Sequence, residues 1–169
     1  MKKLIYLLLL SLFFSNCKDG CTVLADMPHI REFTIPAGLN PLQTHYITIE
    51  NIPNNKNTIF DANNITDEDI SEIKGRTARF TSLFNGGEYD FIQEVSVQIY
   101  TDNEDDWSEV FYRTNIRENT GGDLDLIGSL TDVQRHLTAP TFNLRVKLDL
   151  RRTNSQNVET RFDFRLGGC

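Results

Sequence analysis

The stretch Phe142-Asn143-Leu144-Arg145-Val146-Lys147-Leu148-Asp149-Leu150-Arg151 constrains this chain most, because apolar and polar side chains alternate through it without a break. Successive side chains of a β-strand point to opposite faces, so the pattern describes a strand with one face buried and one wet. Val158 to Leu166 repeats it, as do His45 to Glu50 and Phe91 to Tyr100. Strands covered on both faces read as continuous apolar runs, so the expected sheet is antiparallel. Polar connections agree: Arg152 to Asn157 separates the last two strands, and Thr101 to Asp106 precedes a strand at Trp107 to Arg113. Asn85-Gly86-Gly87 supplies residues tolerant of positive φ before the Tyr89 to Tyr100 strand. Together these features predict one all-β domain over residues 30–169, an antiparallel β-sandwich of immunoglobulin-like or jelly-roll-like type.

Two short helices are expected to plug its ends. In the first, Thr66 caps, Ile65 and Ile70 have the spacing of a hydrophobic staple, and Gly75 ends the helix after Lys74. In the second, Ser129 caps, Leu130, Val133 and Leu137 share a face, and Pro140 stops continuation.

The first residues obey different rules. Met1-Lys2-Lys3 is positively charged, and Leu4 through Phe14 is apolar apart from Ser11. A membrane-spanning helix needs about 20 apolar residues, so this run is too short to cross and has the length of a secretory leader. Leu12-Phe13-Phe14-Ser15-Asn16-Cys17 resembles the lipobox of bacterial lipoproteins, in which the final cysteine is acylated. Ser15 suits its place, while Phe14 and Asn16 depart from the usual residues. The resemblance implies a signal peptide at residues 1–16, acylation of Cys17 with palmitate-type chains, and a lipidated tether over residues 17–29. It also implies a cell-envelope address, that of an outer-membrane lipoprotein held to the membrane by its lipid. Lys18-Asp19 resembles the start of a short acidic signal for surface display, the inner leaflet being the alternative address.

If Cys17 carries lipid, Cys21 and Cys169 remain, the right number for one bridge between the first and last segments of the domain. The alternative is two thiols in a reducing compartment, which the leader disfavours. Removing residues 1–16 takes away two lysines and no acid, leaving 15 Lys+Arg against 24 Asp+Glu. That balance gives no footprint for nucleic acid and no electrostatic attraction to anionic headgroups.

No arrangement of residues spells a catalytic or metal centre. The acid-rich Asp102-Asn103-Glu104-Asp105-Asp106 is the best metal candidate, with Asp102, Glu104 and Asp106 alternating as oxygen ligands. A calcium loop counted from Asp102 puts Trp107 at its glycine position and Arg113 at its bidentate-acid position, so the template fails twice. His29, His45 and His136 are scattered and read as surface or strand-face residues. Asp149 and Asp163 alternate with Arg145, Lys147, Arg151, Arg161 and Arg165, which reads as a solvated charge ladder on the last two strands. Asn64-Ile65-Thr66 spells a glycosylation sequon that the helix cap explains. Trp107, Phe111 and Tyr112 offer an aromatic platform, or simply core.

These features imply no cofactor. They favour a non-catalytic, lipid-anchored envelope module that binds an envelope protein or a polysaccharide. The alternatives are a small hydrolytic or carbohydrate-active enzyme and a structural subunit of an outer-membrane complex.

Overall fold

A computed structural model describes residues 22–84 and 87–169. The leader, Cys17, Lys18-Asp19, Cys21 and Asn85-Gly86 lie outside the described residues.

The alternating segments form strands. They are β1 (Ala25–Ile35), β2 (His45–Pro53), β3 (Ile73–Ser82), β4 (Ile92–Tyr100), β5 (Ser108–Arg113), β6 (Asp123–Gly128), β7 (Thr141–Leu150) and β8 (Val158–Gly168). Every second residue of β7 is buried from Phe142 to Leu150, and β8 does the same from Val158 to Phe164. All pairings are antiparallel, as the alternation requires. Where two separate sheets were expected, the strands join in one order, β1-β8-β3-β6-β5-β4-β7-β2, in a nearly barrel-shaped sheet.

One link in that order is thin. The β5–β6 ladder holds only Phe111 opposite Gly128 and Tyr112 opposite Ile127. It divides the sheet into β1-β8-β3-β6 and β5-β4-β7-β2, whose inner faces share a row of rings. Phe80 and Phe162 meet edge to face at 4.9 Å, and Phe162 and Phe164 stack at 4.7 Å. Phe111 of the other half contacts Phe164 at 6.0 Å, and His29 bridges Phe164 at 4.9 Å to Phe142 at 5.4 Å. Aromatic contacts of this kind contribute about 0.5–1.5 kcal/mol each beyond the area they bury.

At the thin link the backbones come unusually close. A Cβ on Gly128 would lie 2.0 Å from the Gly75 carbonyl oxygen, and one on Gly75 would lie 2.2 Å from the Val110 carbonyl oxygen. A β-bulge between Gly75 and Thr77 bends β3 at the same place. Gly75 therefore serves a strand crossing and does not end a helix. At the other extreme of the order, β1 and β2 approach without a ladder. Pro28 has no N–H to offer there, and β2 carries a bulge between Ile49 and Ile52 with Asn51 at φ 55°. Such features blunt sheet edges.

Neither expected helix forms as read. Thr66 does cap, but only a 3-10 turn, Asp67–Asp69, whose Asp69 carboxylate accepts the Thr66 N–H and hydroxyl at 2.8 and 2.7 Å. From Ile73 onward the chain is claimed by pairing with β8. The second helix shrinks to the 3-10 turn Gln134–Leu137, with Val133 and Leu137 buried and Leu130 86% exposed. The one α-helix among the described residues, α1 (Lys56–Asn63), falls in an asparagine-rich segment with no apolar period. It forms because Phe60 is buried against the core and Lys56 pairs with Asp67 at 2.9 Å. Strand β1 starts ahead of residue 30, since Ala25 already faces Gly168 in register.

Overpacking of this type costs about 1–3 kcal/mol. Gly128→Ala is expected to lower the urea-unfolding free energy by that amount, whereas Gly121→Ala, whose Cβ meets nothing within 4 Å, should change it little.

Candidate functional site

Connectivity sorts the surface into two ends. Each pairing joins an odd-numbered strand to an even-numbered one, so all odd strands run one way and all even strands the other. Connections therefore alternate between ends. Residues 36–44, 83–84, 87–91, 114–122 and 151–157 gather at one end, called distal here. The opposite, proximal end holds α1, both 3-10 turns and residues 101–107. Both extremities of the described chain lie there too: Leu24 N–H donates to the Gly168 carbonyl at 2.9 Å, and Cys169 exchanges backbone hydrogen bonds with Glu72. Cys169 sits where the incoming chain meets β8, while Cys21 is outside the described residues.

The distal loops are tied to one another. Asn154 donates to the Pro36 carbonyl at 2.7 Å, and Gly38 N–H donates to the Asn154 carbonyl at 3.0 Å. The Arg151 guanidinium reaches the Ile116 and Ile92 carbonyls, and Arg152 pairs with Asp90. Tyr89 N–H donates to the Gly121 carbonyl at 3.2 Å, and its buried hydroxyl meets Thr160 Oγ1 at 3.1 Å. Burial pushes that phenol well above its ordinary pKa. Such cross-linking makes a preformed platform, from which Leu42 projects 91% exposed and Phe84 71% exposed.

The expected site residues fare unevenly. Asp106 faces Arg135 at 2.9 Å, and Glu104 faces Arg145 at 3.9 Å, so two acids of the candidate metal loop turn to different cations. No group of three potential ligands set to hold a metal ion occurs among the described residues. The charge ladder is corrected, because β7 and β8 are not neighbours. Asp149 faces Lys147 on its own strand and Asp163 faces Arg161 likewise, while Arg165 pairs with Asp26 of β1. On β3 and β6, Arg79 and Asp125 form a further pair at 2.6 Å. Phe111 is fully buried while Trp107 is 43% exposed, so the aromatic platform does not assemble. In the sequon, Asn64 ends α1 in the left-handed region and Thr66 opens the 3-10 turn.

Of the three histidines, read as surface or strand-face residues, His29 lies on β1 and His45 on β2, while His136 lies in a 3-10 turn. His45 is partly exposed, with Nε2 2.8 Å from the Asn40 carbonyl, but His29 and His136 are buried. His136 Nε2 lies 3.0 Å from Ser108 Oγ, a distance suited to a nucleophile and its base. However, Arg135 Nε donates to the same nitrogen at 3.1 Å. Burial and then that cation hold the imidazole below its ordinary pKa. A lone pair already engaged by a guanidinium is a poor base, so the cluster acts as a polar clamp between β5 and the 3-10 turn. Sequence reading offered no signal for this contact, since the rest of β5 and all of β6 lie between the partners.

No protein-family model matches the chain, and no curated protein is significantly similar to it.

His29 carries a measurable consequence. Burial, with a smaller contribution from Arg31, pushes its pKa down from 6.5 to about 4. Between those values the unfolded chain binds the proton that the folded chain refuses. Its contribution to stability is therefore intact above pH 6.5 and is lost as pH falls toward 4, by about 3 kcal/mol at the lower limit. Urea midpoints measured across this window should fall with pH, and His29→Phe should flatten the slope.

Proposed function

We propose that the chain is a lipoprotein of the cell envelope, acylated at Cys17, that works as a non-catalytic binding module through its distal loops. The observation that carries this reading is the separation of the two ends. The described chain starts at the proximal end, so a lipid on Cys17 would hold that end to the membrane and turn residues 36–44, 83–84, 87–91, 114–122 and 151–157 away from it. Seven residues separate Cys17 from Ala25. Fully extended they reach about 25 Å, so the domain would stand close to the bilayer. The acid-rich segments 67–69 and 101–107 share the proximal end, which favours attachment by acyl chains over attraction to anionic headgroups. The best address on this reading is the outer membrane, with Lys18-Asp19 directing display at the surface.

The fold reading is finer too. The halves β1-β8-β3-β6 and β2-β7-β4-β5 have the strand arrangement of an eight-stranded jelly-roll sandwich, here closed along the short β5–β6 ladder. Fold does not dictate function. The partner class, an envelope protein or a polysaccharide, rests instead on the tied loops and the exposed Leu42 and Phe84.

A Cys21–Cys169 bridge belongs to the same proposal. Cys169 follows β8 directly, β1 and β8 stay in register to Ala25 and Gly168, and Cys21 precedes that pair by four residues. Closing so long a loop would add up to about 5 kcal/mol by constraining the unfolded chain.

Cys17→Ala should move the protein from the membrane fraction to the soluble fraction of the envelope; a variant that stays membrane-bound would remove the anchor. Peptide mass spectrometry without reduction should find Cys21 linked to Cys169. Affinity purification from detergent-solubilised envelopes should recover a partner that Leu42→Asp loses.

A further inference from the structure

We propose that the groove between the β5–β6 connection and the adjoining strand ends binds an oxyanion, of carboxylate or phosphate class, on a small polar ligand. This inference deepens the reading of the distal end as the binding end. A cavity of about 470 Å³ opens there, lined by Arg113, Arg117, Asn119, Thr120 and Asp123 among others. That volume suits a ligand the size of one or two sugar units.

The charge accounting singles the groove out. Seven arginines of the described residues are ion-paired. Arg113 and Arg117 make no side-chain hydrogen bond or ion pair among the described residues, although the chain carries 24 acids against 17 bases. Two acids line the same groove and still leave them alone, because each is engaged from β3. Thr81 donates to Asp123 at 2.9 Å, and Arg79 donates to Asp125 at 2.6 Å.

Local structure brings Arg113 and Arg117 to the same groove. Arg113 ends β5, Asn115 then turns the chain in the left-handed region at φ 52°, and Ile116 is buried as an anchor. Thr120 closes the turn by donating its N–H and its hydroxyl to the Arg117 carbonyl at 3.2 and 2.8 Å. Arginine presents a planar fork of N–H donors that matches carboxylate and phosphate oxygens. Asn119 adds an amide able to meet a neighbouring hydroxyl.

The test is a titration of the full chain in detergent with galacturonate, inorganic phosphate and, as a neutral control, galactose, followed through the arginine Nε–H signals by NMR. Saturable shifts of Arg113 and Arg117 with galacturonate, phosphate or both are expected, and the probe that saturates identifies the source of the oxyanion. Arg113→Gln and Arg117→Gln should each weaken binding roughly tenfold, the scale of losing one charged hydrogen bond, while Arg76→Gln, another unpaired arginine outside the groove, should leave it unchanged. No saturation with either anion overturns the proposal, as does equal binding of galactose or binding that survives the double variant. The titration does not depend on acylation, so its failure would leave the anchor at Cys17 to be judged by fractionation alone.

Discussion

Two glycines hold the architecture together by what they lack. Where β3, β5 and β6 converge, Gly75 and Gly128 let backbones approach to a distance that any side chain would forbid. The ladder between β5 and β6 is only two residues long, so hydrogen bonding alone would join the halves weakly. Close approach at the glycines sets the angle between halves, and that angle brings Phe111 onto Phe162 and Phe164. The aromatic row continues through His29 to Phe142, so one buried line of rings fastens β3, β8 and β1 to β5 and β7. Without the glycine contact this row would have no opposing face to pack on.

From that closure follows the division of labour between the ends. An antiparallel order with an even number of strands returns the chain to the end where it entered. Among the described residues, both extremities, α1 and both 3-10 turns lie at the proximal end, and the distal end is left to connections. Loops free of chain ends can be cross-linked to one another, and here Asn154, Arg151 and Tyr89 do so through backbone carbonyls and amides. A surface built this way is preformed, so little ordering entropy would remain to be lost by its loops.

Strands were legible where the periodicity was strict. β7, β8, β4 and β2 could be read because alternation over such lengths has no helical counterpart. β3 and β6 were not, for different reasons. Ile73 to Ser82 carries a bulge at Gly75, which breaks the period, and Asp123 to Gly128 is short and acidic on its outer face. The Thr66 cap was read correctly as local chemistry, yet the helix it should have opened lost to pairing with β8, a contact some ninety residues away in sequence. α1 had the opposite fate, forming on asparagines because tertiary burial of Phe60 and the Lys56–Asp67 pair decided the matter. Strand order stayed hidden throughout, since alternation states which face is buried and not which neighbour is beside it.

That last gap explains why charged residues were misread while apolar ones were not. Burial is a property of a residue's own strand, whereas an ion pair needs the identity of the adjacent strand. Arg161, Arg165, Lys147 and Asp149 looked like rungs between β7 and β8, but the order interposes four strands between them. Once β1 is known to flank β8, Arg165 finds Asp26, and once β6 flanks β3, Arg79 finds Asp125. Only with every such pair assigned does the remainder become visible, as guanidiniums that no neighbouring strand has claimed. The charges left over after the fold has used what it needs can therefore be found only once the strand order is known.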